Sequence, residues 1–211
     1  MSAQTALRPA IIFDLGGVLI DWNPRYLYRK LFADEAAMEH FFAEVGLSEW
    51  NAQQDAGRPF AEAVALLSEQ YPHHAALIHA FWERWPEMMG GAVEGTVEIM
   101  SELRANGHRL FALSNWSAET YPHAAARFEF LQWFDYVALS GRLKICKPQP
   151  EIFAHLQAHI GQPAGECLFI DDSPGNVAAA RQCGWQALHF TAPETLRADL
   201  ARVLGSRTPL C

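Results

Sequence analysis

Apolar residues along the chain fall into two alternating patterns. Short apolar runs bounded by polar or glycine-bearing turns occur at Ala10-Ile11-Ile12-Phe13, Arg109-Leu110-Phe111-Ala112-Leu113, Phe134-Asp135-Tyr136-Val137-Ala138-Leu139, Cys167-Leu168-Phe169-Ile170 and Trp185-Gln186-Ala187-Leu188. Runs of this kind read as strands buried on both faces, the signature of a parallel sheet. Between them apolar positions recur at helical spacing. One helix carries Val97, Ile99, Met100 and Leu103 and stops at Asn106-Gly107. Others are expected at about Ala118 to Arg127, at Glu151 to Ile160 behind Lys147-Pro148-Gln149-Pro150, at Gly175 to Cys183 and at about Glu194 to Leu204. Strands alternating with helices imply right-handed crossovers, so the pattern predicts an α/β fold with a doubly wound parallel sheet.

The alternation breaks once. From Asn23 to about Met89 no run looks like a strand, and the apolar residues form four stripes: Tyr26, Leu27, Leu31 and Phe32; Phe41, Phe42, Val45 and Leu47; Ala63, Val64, Leu66 and Leu67; Ile78, Phe81, Trp82 and Trp85. Tyr71-Pro72 and Pro86 end the last two. The pattern predicts an all-helical insert of about four helices at 23–90, set into a core formed by 1–22 and 91–211.

Composition narrows the partners. The 211 residues are half hydrophobic by count, enough for a sizeable core, and the formal net charge is -8. An acidic chain without a basic block is a poor match for nucleic acid or an anionic membrane, so neither is expected as a partner. Cys146, Cys167, Cys183 and Cys211 show no paired spacing and read as reduced thiols of a cytoplasmic protein. Met1 to Pro9 lacks the make-up of a secretory leader, and no apolar segment is long enough to span a bilayer. The nine histidines show no ligand spacing and are expected at the surface or in the core.

Chemistry enters at the strand ends. The first run stops at Asp14, followed by Gly16-Gly17; the second runs into Ser114-Asn115; the fourth ends in Asp171-Asp172; and Lys147 opens another element. Each has a plain structural account: Asp14, Ser114, Asn115 or the Asp171-Asp172-Ser173-Pro174 stretch as helix caps, and Lys147 as a solvated charge. As a set they are chemically coherent. All strands of a parallel sheet point one way, so these groups converge on one edge, where ligands of such sheets bind. Three carboxylates there repel one another without a cation, and hard oxygen donors favour Mg²⁺. A lysine and a hydroxyl beside the metal would bind a phosphate.

With these residues in their order, Phe13-Asp14-Leu15-Gly16-Gly17-Val18-Leu19, Leu113-Ser114-Asn115, Lys147-Pro148 and Ile170-Asp171-Asp172, the chain resembles the haloacid dehalogenase superfamily hydrolases that carry a helical cap after the first strand of a Rossmann-like core. The resemblance covers about Ala10 to Leu204. It implies that Asp14 is the nucleophile of an aspartyl-phosphate intermediate, that Ser114 and Asn115 bind the phosphoryl group, and that Lys147 neutralises nucleophile and phosphate. It further implies that Asp14, the Gly16 carbonyl, Asp172 and its neighbour Asp171 hold Mg²⁺. Most phosphatases of the superfamily have a second Asp where this chain has Gly16, so the usual proton donor is absent. The chain is similar to a subset with glycine there that looks like sugar-phosphate phosphatases. Asp21 is a candidate substitute, or an N-cap ahead of Asn23-Pro24. The function implied is Mg²⁺-dependent hydrolysis of a small phosphomonoester, by a monomer or homodimer. The alternatives are a metal-free 2-haloacid dehalogenase, which has small uncharged residues at Asp171-Asp172, and a non-catalytic binding protein on the same fold. Selectivity is expected from the cap, with Trp22, Trp50, Gln53, Gln54, Asp55 and Arg58 as candidates. Trp116 is expected to face the pocket, and Trp82 and Trp85 to lie in the core.

Overall fold

The computed structural model describes residues 8–205; Cys211 and most of Met1 to Pro9 fall outside them. Strands are β1 Ala10–Phe13, β2 Ile20–Trp22, β3 Met89–Ala92, β4 Leu110–Ser114, β5 Tyr136–Leu139, β6 Cys167–Asp171 and β7 Gln186–His189. Helices are α1 Arg25–Tyr28, α2 Glu35–Glu44, α3 Leu47–Asp55, α4 Phe60–Gln70, α5 Ala75–Glu83, α6 Glu94–Ala105, α7 Tyr121–Arg127, α8 Ser140–Leu143, α9 Pro150–Ile160, α10 Pro174–Gln182 and α11 Pro193–Gly205. The main sheet has the order β5-β4-β1-β6-β7, and every neighbouring pair in it is parallel. All five expected strands are present, within one or two residues of their expected ends. No helix among the described residues is long and apolar enough to cross a membrane.

The run at β1 explains why the sheet is covered on both sides. Successive side chains point to opposite faces. Ile11 and Phe13 join one buried cluster with Ala112, Leu168 and Ile170, and Ala10 and Ile12 join another with Phe111, Phe153, Phe169 and Trp185. The first cluster continues through Leu19 and Trp85 into the helical insert, where Trp50, Phe60 and Phe81 pack edge-on or stacked with ring centroids 5.1–6.1 Å apart.

Two features differ from the sequence expectation. The segments leaving and re-entering the core pair as an antiparallel ribbon, with Ile20 opposite Ala92, Asp21 opposite Gly91 and Trp22 opposite Met89. The consecutive glycines Gly90-Gly91 disfavour a strand locally, and the pairing forms only because the insert brings its two ends together. The second apolar stripe, moreover, does not belong to one helix. Helix α2 ends at Glu44, and a separate helix, α3, begins at Leu47. Its surface is largely polar, with Leu47 and Trp50 as its large buried anchors, and so shows little amphipathic pattern. His73 and His74, adjacent in sequence, both reach the Glu44 carboxylate at 3.1 and 3.0 Å and fasten the turn before α5 to the end of α2.

Helix α8 is short but fixes the loop after β4. The Trp116 N–H donates to the Ser140 hydroxyl at 2.9 Å, and the Gly141 N–H donates to the Trp116 carbonyl at 3.1 Å. A Cβ on Gly141 would lie 2.5 Å from Ala118 N and 2.8 Å from Trp116 O, both backbone atoms that cannot step aside. Gly141→Ala is therefore expected to destabilise the fold by about 1–3 kcal/mol, as overpacking does. A denaturant midpoint equal to the parent's would refute this close approach.

Candidate active site

Strand register assembles the polar groups. Phe13 pairs with Ala112 on one side and Ile170 on the other, so Asp14, Ser114 and Asp171 leave the sheet at one edge. The Asp14 N–H is tied to the Ile170 carbonyl at 2.9 Å. Lys147 enters from the loop before α9, with its Nζ 2.8 Å from Asp14 Oδ2 and 2.6 Å from Asp171 Oδ2. Asn115 holds it there: its Oδ1 accepts from the Lys147 N–H at 2.8 Å, and its Nδ2 donates to the Lys147 carbonyl at 3.0 Å. The Asn115 side chain thus engages the Lys147 backbone, a use that sequence alone did not suggest.

The two adjacent aspartates have different surroundings. Asp171 is fully buried, and both its oxygens are taken: Ser173 N–H donates to Oδ1 at 2.7 Å, and Asn176 Nδ2 lies 3.1 Å from each oxygen, in addition to the lysine. The Asp172 side chain instead faces the cavity over the strand ends. Gly17 makes room for it, because a Cβ there would overlap the Asp172 carboxylate, and its φ of 76° is a conformation that favours glycine. Gly16, by contrast, has nothing within 4 Å of the place a Cβ would take.

Burial pushes the Asp14 carboxyl up to about 6, and Asp171 pushes the same way, while Lys147 and the Ser114 hydroxyl pull it down. Burial also works against the charge on Lys147, but Asp14 and Asp171 outweigh it and hold the ammonium above the ordinary lysine value. Burial and then Asp171 raise the Asp172 carboxyl. One ammonium thus faces three carboxylates. Asp14, Asp171 and Asp172 offer oxygens within 4.8 Å of one another, a hard-donor set with uncompensated negative charge that fits a divalent cation such as Mg²⁺. With Asp171 committed to its hydrogen bonds, Asp14 and Asp172 have the free lone pairs.

Above this set lies a cavity of about 270 Å³. The core contributes Gly16, Asn115, Trp116 and Asp172, the ribbon Trp22, and the helical insert Asn51, Asp55 and Trp85. Trp116 and Trp22 stand where the sequence placed them. Trp85 is buried as expected, yet it also forms a wall, its ring 5.7 Å from that of Trp116. The Trp22 indole N–H is buried and has no partner among the described residues. Gln53 and Arg58 do not join this cavity. They line a different one with Val45, Glu49 and Leu66, and Arg58 Nε donates to Gln54 at 2.7 Å. Helical geometry is the reason: Asn51 and Asp55, four apart on α3, share the face toward the strand ends, while Trp50 and Gln54 point into the insert's core. Asp21 is also absent from the cavity wall. Its carboxylate accepts from the Tyr26 hydroxyl at 2.6 Å, and the turn into α1 is instead capped by Asn23 Oδ1, which accepts from the Arg25 N–H.

Asp55 is held at both oxygens, by the Ser117 N–H at 3.0 Å and Asn51 Nδ2 at 2.9 Å. No basic side chain among the described residues pairs with it. Burial pushes its carboxyl up to about 7, the Ser117 N–H opposes this, and the charge of Asp14 adds to it. Nothing in the pattern of residues along the chain singles out Asn51.

The profile of the haloacid dehalogenase-like hydrolase family matches residues 9–184. A sesquiterpene phosphatase of Aspergillus oryzae, astK, is 24% identical over 198 residues, covering 93% of this chain and 96% of its own. The fructose-1-phosphate phosphatase YqaB of Escherichia coli is 23% identical over 184 residues, covering 84% and 94%. Among solved structures, the family enzyme BT-2542 of Bacteroides thetaiotaomicron, in complex with magnesium and inorganic phosphate, shares the fold with a TM-score of 0.67 at 24% identity, covering 88% of this chain and 95% of that one.

The lysine bridge has a direct stability test. Lys147→Met leaves Asp14 and Asp171 buried without their cation, and breaking a buried pair costs about 3–5 kcal/mol. Without the lysine that pulls it down, the buried Asp14 carboxyl ionises only at raised pH, so the unfolded state sheds that proton first and the variant's stability falls as pH rises from acid to neutral. In chelator, the stability gap to the parent is expected to be large at pH 7.5 and smaller at pH 5. A gap independent of pH would contradict the pairing.

Proposed function

From the premise that the chain belongs to the haloacid dehalogenase-like hydrolases, we propose that it is a Mg²⁺-dependent phosphatase hydrolysing a small phosphomonoester through an aspartyl-phosphate. The observation that carries this reading is the Asp14–Lys147–Asp171 bridge with the Asp172 carboxylate open beside it. A nucleophile for phosphorus must be an ionised carboxylate, and the Lys147 ammonium favours that form of Asp14. Asp14, Asp172 and Gly16 would hold the Mg²⁺, which when bound neutralises charge on the phosphoryl oxygens. Lys147 and the Ser114 hydroxyl orient the phosphoryl group against Asp14. Asn115 keeps the lysine in register through its backbone.

The insert, proposed as a cap of residues 23–90 on a core of 1–22 and 91–211, closes the cavity and keeps bulk water from the intermediate. Trp22, Trp85 and Trp116 give the leaving group flat apolar walls, and the unpartnered Trp22 N–H offers a donor to one of its oxygens. No basic residue among the described residues lines the cavity, so a second anionic group on the substrate would be unsupported. This favours an uncharged leaving group such as a sugar, in keeping with the similarity to a sesquiterpene phosphatase and a fructose-1-phosphate phosphatase. A dehalogenase would have no use for Asp172, whose charge repels a haloacid.

Asp14→Asn is expected to lower phosphate release by about 10³-fold or more while leaving the circular dichroism unchanged, because an amide is no nucleophile here. Chelation is expected to abolish release and Mg²⁺ to restore it. Halide release from a 2-haloacid in chelator would overturn the reading in favour of dehalogenation.

A further inference from the structure

We propose that Asp55, carried over the strand ends by α3, transfers the proton in this site, donating to the leaving-group oxygen and then accepting from the attacking water, an assignment that rests on the phosphatase reading. An alcohol expelled without a proton leaves as a strong base, and a positioned acid normally supplies about 10²–10⁴-fold here. The loop after Asp14 offers none, since its available position is Gly16.

The cavity leaves one candidate. Asn51, Asn115 and the tryptophans do not exchange protons at neutral pH. Asp14 and Asp172 are committed to the nucleophile and the cation, and Lys147 is pinned between two carboxylates. Asp21 faces Tyr26. Asp55 remains: it lines the same cavity as Gly16 and Asp172, and two hydrogen bonds from Asn51 and Ser117 fix its carboxyl. The charged groups toward it are the carboxylates of Asp14 and, across the cavity, Asp172. The Cys146 thiol lies 3.9 Å from its backbone carbonyl, Arg58 is turned to Gln54, and Glu119 accepts from the Phe60 N–H. Largely desolvated, and with no basic side chain among the described residues paired to it, this carboxyl holds its proton toward neutrality, the range that suits an acid and base at one site.

The step balances. A lone pair of Asp14 Oδ2 bonds to phosphorus as the bond from phosphorus to the ester oxygen breaks. That oxygen keeps the bonding pair, takes the Asp55 proton and departs as a neutral alcohol. Asp55, now a carboxylate, removes a proton from water as the water oxygen bonds to phosphorus. The bond from phosphorus to Asp14 breaks, its pair returns to the carboxylate, and phosphate leaves.

The test measures phosphorylation of the Mg²⁺-loaded enzyme in single turnovers, over a series from 2,4-dinitrophenyl phosphate through phenyl phosphate to an alkyl phosphate. Asp55→Asn, which keeps an acceptor for Ser117, is expected to slow the alkyl ester about 10²-fold or more and the dinitrophenyl ester less than tenfold, and to accumulate phosphoenzyme with the latter. Because Gly16 has open space, adding Gly16→Asp is expected to restore at least tenfold of the alkyl rate to Asp55→Asn. A purely structural Asp55 would give an equal fall across the series and no rescue, which overturns the assignment. Gly16→Asp alone covers the case of a misfolded Asp55→Asn. Whatever it does to absolute rates, it is expected to leave the slope against leaving-group pKa unchanged, and a flattened slope would mean that the native chain has no donor. A native enzyme inactive on the whole series with Mg²⁺ fails the phosphatase reading and the assignment with it.

Discussion

The arrangement at the strand ends depends on one buried ammonium. Charges of one sign cannot share a dry edge of a sheet at acceptable cost unless something of the opposite sign is built in. Lys147 meets this need for Asp14 and Asp171, and much of the local structure exists to keep it there: the Asn115 clamp on its backbone, the Asn176 and Ser173 donors that fix Asp171, and Phe169, whose ring lies 5.4 Å beneath its Nζ. What it does not neutralise, the open Asp172, gives the edge its appetite for a cation.

Two kinds of side chain meet in the cavity. Those from the core sit on strand ends or their first following residues, where the sheet's hydrogen bonds fix them. Those from the insert sit on α3, apart from Trp85 after α5, and α3 and the start of α4 are fixed by contacts to the core, Asp55 to Ser117 and Phe60 to Glu119. The chemical groups are therefore held rigidly, and the enclosing walls are held by bonds that opening of the insert would break.

This division also decides what could be read from the sequence. Asp14, Ser114 and Asp171 were legible because parallel strands convert a position at a run's end into a place at the edge, whatever the packing; Lys147, on the loop before α9, was legible only as the cation that such a set of carboxylates needs and through the order of the motifs. Asn115 was legible as a site residue, but its clamp on Lys147 depends on a loop path that no local pattern encodes. Helix α3 was missed because its anchors are few, and without its boundaries Gln53 and Arg58 could not be told from Asn51 and Asp55 by facing. The β2–β3 ribbon was missed because its partners lie at opposite ends of the insert and one of them contains Gly90-Gly91.

That ribbon has a consequence for how such a chain changes over time. It pins the start and finish of the insert side by side, so the core experiences everything between Asn23 and Met88 as a single closed loop. The entropy of closing a loop grows only with the logarithm of its length. Residues there can accordingly be gained, lost or exchanged at little cost to the sheet, and a lineage can rebuild the enclosure for a new substrate while keeping the groups at the strand ends intact. Housing the proton donor on α3 removes that freedom at one point: a descendant of this chain that trades its enclosure must bring a replacement carboxylate with it, or first restore one at Gly16.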